Sequence, residues 1–132
     1  MNVVELIGGE VATCDVDTPV PDAARQMIDQ DVGSLVVVHN GEAVGIVTER
    51  DIMGAVAKGS ASSNDRIRSI MTPEPDSVEP DVDVEEAAQW MMAAGYRHMP
   101  VMEGSRLLGV VSVKDVLWAL MDDRGAGEEG SA

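Results

Sequence analysis

Two stretches of this 132-residue chain carry residue types that could do binding chemistry. Gly45-Ile46-Val47-Thr48-Glu49-Arg50-Asp51 is an apolar strand pattern running into a hydroxyl, with a carboxylate three residues further on. Gly109-Val110-Val111-Ser112-Val113-Lys114-Asp115 returns the pattern, and Gly45 and Gly109, Thr48 and Ser112, Asp51 and Asp115 each stand 64 positions apart. A hydroxyl at a strand end can cap the next helix, because its oxygen accepts from backbone N–H groups that lack helical partners. An Asp in the first helical turn then sits at the positive end of the helix dipole. A strand end, a helix N-terminus and a fixed carboxylate together offer a seat for a sugar and its phosphates. Thr/Ser-x-x-Asp also fits a plain capping box, whose carboxylate only returns to the N–H of the cap. Recurrence in register within a longer repeat favours the ligand site over the cap alone.

The elements that must position these residues also repeat. Residues 3–7 form a short helical lead-in, residues 11–14 a strand, and Ala23, Ala24, Met27 and Ile28 fall at helical spacing up to about Asp31. Residues 34–39 are β-branched, Asn40-Gly41 is a hairpin turn, residues 43–48 are its second strand, and residues 49–57 a helix. Residues 67–71 then match 3–7, Ser77 matches Thr13, and Ala87, Ala88 and Met91 match Ala23, Ala24 and Met27. Residues 98–103 and 106–112 match the hairpin, and 113–121 the closing helix. The expected division is a first repeat at 3–59, a linker at 60–66, a second repeat at 67–121 and a disordered acidic tail at 122–132. The predicted class is α/β (α+β): two pseudo-twofold-related β-α-β-β-α repeats with small three-stranded sheets, packed through helices and sheets around a groove. One such unit cannot bury its own apolar faces, so two must pack together. Trp90 and Trp118 are expected at buried helix–helix contacts.

Composition narrows the function classes. A net charge of −15 opposes nucleic-acid binding, which depends on Lys and Arg neutralising phosphates, and opposes attachment to an anionic membrane surface. No apolar run reaches the ~18 residues of a spanning helix, and the N-terminus lacks the basic-then-apolar order of a secretory signal. The lone cysteine, Cys14, fits a reducing cytoplasm and cannot close an intrachain disulfide, though a bridge between subunits stays open. His39, His98 and Cys14 lack metal-ligand spacing, and no P-loop follows Gly8-Gly9 or Gly41. The acidic run at 79–86 reads as a solvated helix N-terminus. No nucleophile–base pair is visible, so an enzyme is not expected.

With these residues in place, the chain resembles the cystathionine-β-synthase (CBS) domain family, as a tandem pair of such domains called a Bateman module. GIVTERD, GVVSVKD, Thr13, Ser77 and Tyr96-Arg97-His98-Met99-Pro100-Val101 carry the resemblance, which extends over residues 3 to about 121. The resemblance implies adenosine-containing ligands: AMP, ADP, ATP or S-adenosylmethionine. It makes Asp51 and Asp115 the ribose residues of two sites, since two carboxylate oxygens can accept from a vicinal diol. It places Thr48 and Ser112 at the ribose or phosphates, and Thr13 and Ser77 beside sugar and base. It sets Leu35 and Val36, or Met99 and Pro100, against adenine. For phosphates it offers Arg50 and Lys114, and the basic pair Arg97 and His98, which the first repeat replaces with Gly33 and Ser34. Arg97 as a surface or interface ion-pair partner, and His98 without a ligand role, remain the competing readings.

The expected function is a stand-alone regulatory module that binds an adenine nucleotide or S-adenosylmethionine between the repeats and signals to a regulated protein in trans. The alternative is an interaction protein, a CBS dimer with vestigial nucleotide sites. No catalytic cofactor, metal, nucleic acid or membrane partner is expected. A cytoplasmic homodimer is, because Ile52, Met53 and Val56, and Ala87, Ala88, Met91 and Met92, give the helices more apolar face than one sheet pair hides.

Overall fold

The computed structural model describes residues 1–8 and 11–131, with side chains described as far as residue 122. Two compact units emerge: one joins Met1–Glu10 to Asp76–Ala132, and the other is Val11–Pro75. Each unit has its own apolar core.

In the Val11–Pro75 unit, β1 (Thr13–Asp15) leads to α1 (Val20–Gln30), then β2 (Ser34–His39), β3 (Glu42–Thr48) and α2 (Glu49–Ala57). Helix α1 starts with a proline in its first turn and buries Val20, Ala23 and Met27. It stops where Asp31 turns left-handed at φ 53°. Asn40 and Gly41, both at positive φ, close the β2–β3 hairpin in the mirror-image turn that matches strand twist. A 3-10 turn, Ile67–Ser69, then brings in β4 (Thr72–Pro73). The sheet order is β1-β2-β3-β4, with β1 parallel to β2 and the other pairs antiparallel.

The other unit opens with a 3-10 turn, Val3–Leu6, and resumes with α3 (Val84–Ala94), β5 (His98–Glu103), β6 (Arg106–Ser112) and α4 (Val113–Ser131). Asp83 caps α3 by accepting from the Glu85 N–H at 3.2 Å, so the acidic run does solvate a helix start. The tail expected as disordered at 122–132 lies, beyond Asp122, outside the described side chains.

The class is mixed α/β, as expected, with four helices and two small sheets among the described residues. Among the described residues the expected small three-stranded sheets are not found: one sheet has four strands and the other, β5-β6, two. Pro100 accounts for part of this. In the first half the Val36 N–H donates to the Ala12 carbonyl at 2.9 Å, which starts the β1–β2 ladder. The matching residue, Pro100, has no N–H to give. The segment after Asp76 therefore keeps only the single bridge Val78–Val101, with the Val78 N–H donating to the Pro100 carbonyl at 3.0 Å.

The units also cut across the repeats as read from sequence, because each lead-in turn packs on the unit built from the other repeat. Val3 is fully buried with Val84, Met91, Val101, Val111 and Val116, and Ile67 is fully buried with Val20, Leu35, Val37 and Val47. Burying either side chain contributes about 1.5–3 kcal/mol. Backbone bonds fix both lead-ins: Val3 N–H to the Val82 carbonyl at 2.9 Å, and Ile67 N–H to the Thr18 carbonyl at 2.9 Å. Trp90 and Trp118 are not buried; they are 43% and 64% exposed. Each stands one position from the core line of its helix, beside Met91 and Ala119, so its indole projects past the core.

Candidate nucleoside-binding faces

Alternation along the strands decides which candidate side chains share a surface. In the Val11–Pro75 unit, Cys14, Leu35, Val37 and Val47 point into the core. Thr13, Ser34, Val36, Ile46 and Thr48 therefore share the other face. The register sets Thr13 beside Val36, Val36 beside Ile46, and Ser34 beside Thr48. Thr72 joins them opposite Ile46. Sequence reasoning missed Thr72, since a two-residue edge strand has no periodicity to detect. The middle of this face is apolar and buried (Val36 and Ile46, 2% and 5% exposed), and its margins carry hydroxyls (Thr13, Thr48, Thr72).

At the end of β3 the hydroxyl row meets the start of α2. Thr48 Oγ1 accepts from the Asp51 N–H at 3.3 Å and donates to Asp51 Oδ2 at 3.1 Å, while the Thr48 N–H donates to the same Oδ2 at 2.9 Å. The capping box is real. Asp51 is half-buried and Arg50 exposed.

The other unit repeats this layout. Met99, Val101 and Val111 are core, so His98, Pro100, Val110 and Ser112 share the opposite face, with His98 beside Ser112 and Pro100 beside Val110. Ser77 lies next to the Val78–Val101 bridge. Ser112 Oγ accepts from the Asp115 N–H at 3.1 Å, and Asp115 Oδ2 accepts from the Ser112 N–H at a longer 3.4 Å. Asp115, Lys114 and Arg97 are exposed and His98 half-buried. Tyr96 donates its hydroxyl to the Asp76 carboxylate, which raises the phenol above its ordinary value.

Leu35 and Met99, expected against adenine, are 0% and 1% exposed within the two cores. Their side chains pack on the helices, because successive strand residues face opposite ways. Val36 and Pro100 lie on the opposite face, where they too are buried, Val36 at 2% exposure. Arg50, Arg97 and Lys114 form no ion pair among the described residues, whose three ion pairs join Met1 to Asp83, Arg25 to Asp22 and Arg68 to Asp17. No group of three or more metal-ligating side chains forms among the described residues.

The family model described as "CBS domain" matches twice, over residues 3–58 and 67–122. The chain belongs to the CBS-domain family. A solved protein with CBS domains from Burkholderia ambifaria is 30% identical, with a TM-score of 0.86 over 93% of this chain and 96% of that one. Among curated CBS relatives, the mitochondrial CBS domain-containing protein CBSX3 of Arabidopsis thaliana is 36% identical over 83% of this chain and 56% of its own length. An Acidianus ambivalens protein of 17.7 kDa is 35% identical over 78% of this chain and 63% of its own. The chain thus spans about three fifths of the length of these two curated relatives. The CBS domain pair of protein MJ0100, solved with 5′-methylthioadenosine and S-adenosylmethionine, shares the fold with a TM-score of 0.83 at 24% identity, covering 93% of this chain and 98% of that one. No helix among the described residues is long and apolar enough to cross a membrane.

Proposed function

We propose that this CBS pair is a regulatory module that binds an adenosine-containing ligand, AMP, ADP, ATP or S-adenosylmethionine, and signals occupancy to a partner protein in trans. One observation carries the proposal. Each unit sets a hydroxyl pair on an apolar sheet face, Thr13 and Thr48 or Ser77 and Ser112. Beside it stands a carboxylate whose Oδ2 serves the helix cap while Oδ1 takes no bond among the described residues. A cap alone needs one oxygen, and a vicinal diol can use the other. The apolar floor suits a base, and Arg50 on one side and Arg97 and Lys114 on the other supply charge for phosphates. MJ0100 supports the reading only to the extent that the shared fold can accommodate adenosine ligands.

A thermal-shift screen with AMP, ADP, ATP, S-adenosylmethionine and NADH tests this reading, since a ligand that binds only the folded state raises stability by mass action. At least one adenosine ligand should raise the midpoint in proportion to the logarithm of its concentration. No shift with any of them at millimolar concentration would count against it.

The second reading, a CBS homodimer acting as an interaction protein with vestigial sites, is favoured by a different observation. Met53 and Val56 on α2, Met92 on α3, and Leu117, Trp118 and Met121 on α4 leave large apolar side chains in solvent. Light scattering that gives a dimer mass, with no ligand response in the screen, would favour it.

A further inference from the structure

The glycine that opens each motif is covered by a side chain from the other repeat's lead-in. Ile7 sits over Gly109 so closely that a Cβ there would overlap Ile7 Cγ2 and lie 3.1 Å from Cδ1 and 3.2 Å from Cγ1. Met71 sits over Gly45, where a Cβ would lie 2.9 Å from Met71 Sδ and 2.7 Å from the Thr72 carbonyl oxygen. Ile7 and Met71 are themselves 64 positions apart. Each contact lies within one compact unit, and each covered glycine lies three residues before the hydroxyl that caps α2 or α4.

We infer that Ile7 and Met71 are positioning residues, each setting the strand end and helix cap of the site in the opposite repeat. Ile7 would act on Ser112 and Asp115, and Met71 on Thr48 and Asp51. This inference rests on the proposed nucleoside sites for its ligand-binding consequence. The route is short and stiff. A strand rises about 3.3 Å per residue, so the glycine contact stands about 10 Å from the capping hydroxyl along one continuous strand. Releasing the covering side chain loosens that strand end, and a ligand must then order a cap that the intact protein holds in advance. The lead-in has other anchors, with the Val3 and Val4 N–H groups donating to the Val82 and Pro80 carbonyls. Truncating Ile7 should therefore loosen the strand without detaching the segment. The assignment is crossed: the lead-in of the first repeat tunes the second site, and the lead-in of the second tunes the first.

The test is calorimetric titration with AMP and ATP of the full chain, with one site disabled by Asp51→Ala or Asp115→Ala. Ile7→Ala should weaken the remaining Asp115 site about tenfold and leave the Asp51 site within about twofold. Met71→Ala should do the reverse, and Ile7→Val should recover most of the loss. Leu120→Ala, at the same core as Ile7 but not among the atoms nearest an added Cβ at Gly109, should lower stability and leave both affinities in place. Equal loss at both sites, loss at neither, or the same loss in Leu120→Ala would overturn the inference. If the wild type binds no nucleotide, the functional proposal fails and amide exchange decides this one. Ile7→Ala should speed exchange over residues 109–115 about tenfold and leave 45–51 unchanged; unchanged exchange at 109–115 would refute it.

Discussion

Thr48 and Asp51 hold each other through a single carboxylate oxygen: the Thr48 N–H at 2.9 Å and the Thr48 hydroxyl at 3.1 Å both reach Oδ2. Capping therefore leaves Asp51 Oδ1 for the ribose of the proposed ligand. The equivalent pair is looser: the Ser112 N–H lies 3.4 Å from Asp115 Oδ2, and the Ser112 hydroxyl accepts from the Asp115 N–H without donating to that carboxylate. Asp51→Ala should cost about 1 kcal/mol of folding stability, within the range for lost helix caps, and Asp115→Ala distinctly less. Urea unfolding curves with unchanged slope would measure the difference, and an equal cost would contradict it.

The two motif glycines should resist alanine while a third accepts it. Alanine at Gly45 meets a backbone oxygen that cannot rotate away, so the cost should be about 1–3 kcal/mol, as for other overpacked sites. Gly109→Ala meets a side chain and should cost less than Gly45→Ala. Gly54, inside α2 with nothing within 4 Å of an added Cβ, should gain up to about 1 kcal/mol from helix propensity. Chemical denaturation of the three variants checks the order.

Cys14 should make the protein less stable in mild alkali. Burial, with Asp15 adding to it, pushes the thiol from 9.0 up to about 11. Between these values the unfolded chain releases the proton and the folded chain keeps it, so unfolding is favoured as pH rises. Stability from this group is complete below about pH 9 and falls as pH climbs to about 11. Cys14→Ala should flatten the loss relative to wild type over that window; parallel curves would show that the thiol ionises equally in both states.

Much of this was legible in the chain, and the failures have physical causes. Asn40-Gly41 fixed the first hairpin because few other residues accept two successive positive φ angles. The core line Val20, Ala23, Met27 fixed α1 by period alone. Leu35 does not face the site although the alternation is readable, since Leu35, Val36 and Val37 in the middle of the strand are all apolar and buried, so polarity does not separate its two faces. The lead-in exchange was hidden for another reason. Ile7 meets Gly109 across more than a hundred residues, and no local pattern reports a contact of that range. Pro100 could have warned that the second sheet would be short, because it lacks the N–H that Val36 donates to the Ala12 carbonyl.

The two sites should differ in their preference for phosphate. Arg97 and Lys114 stand near the Ser112 face, whereas Arg50 is the matching cation by Thr48 and Gly33 takes the place of Arg97. ATP should outcompete AMP at the Asp115 site by a margin that Arg97→Ala reduces about threefold to tenfold, and high salt should shrink the same margin. Competition titrations in the Asp51→Ala background measure it. An unchanged ATP-to-AMP ratio would leave Arg97 outside the ligand's reach.

Ribose recognition by Asp51 and Asp115 is the centre of the account, and isothermal titration of wild type and both single alanine variants with the nucleotide of largest thermal shift tests it most directly. Loss of a charge-assisted pair of hydrogen bonds, on the order of 1.5–3 kcal/mol each, should cut affinity at least tenfold at the altered site. The untouched site should remain, so each variant titrates with one tight site where wild type has two. Equal affinity in all three proteins, with two sites still counted, would contradict the account and leave both carboxylates as helix caps.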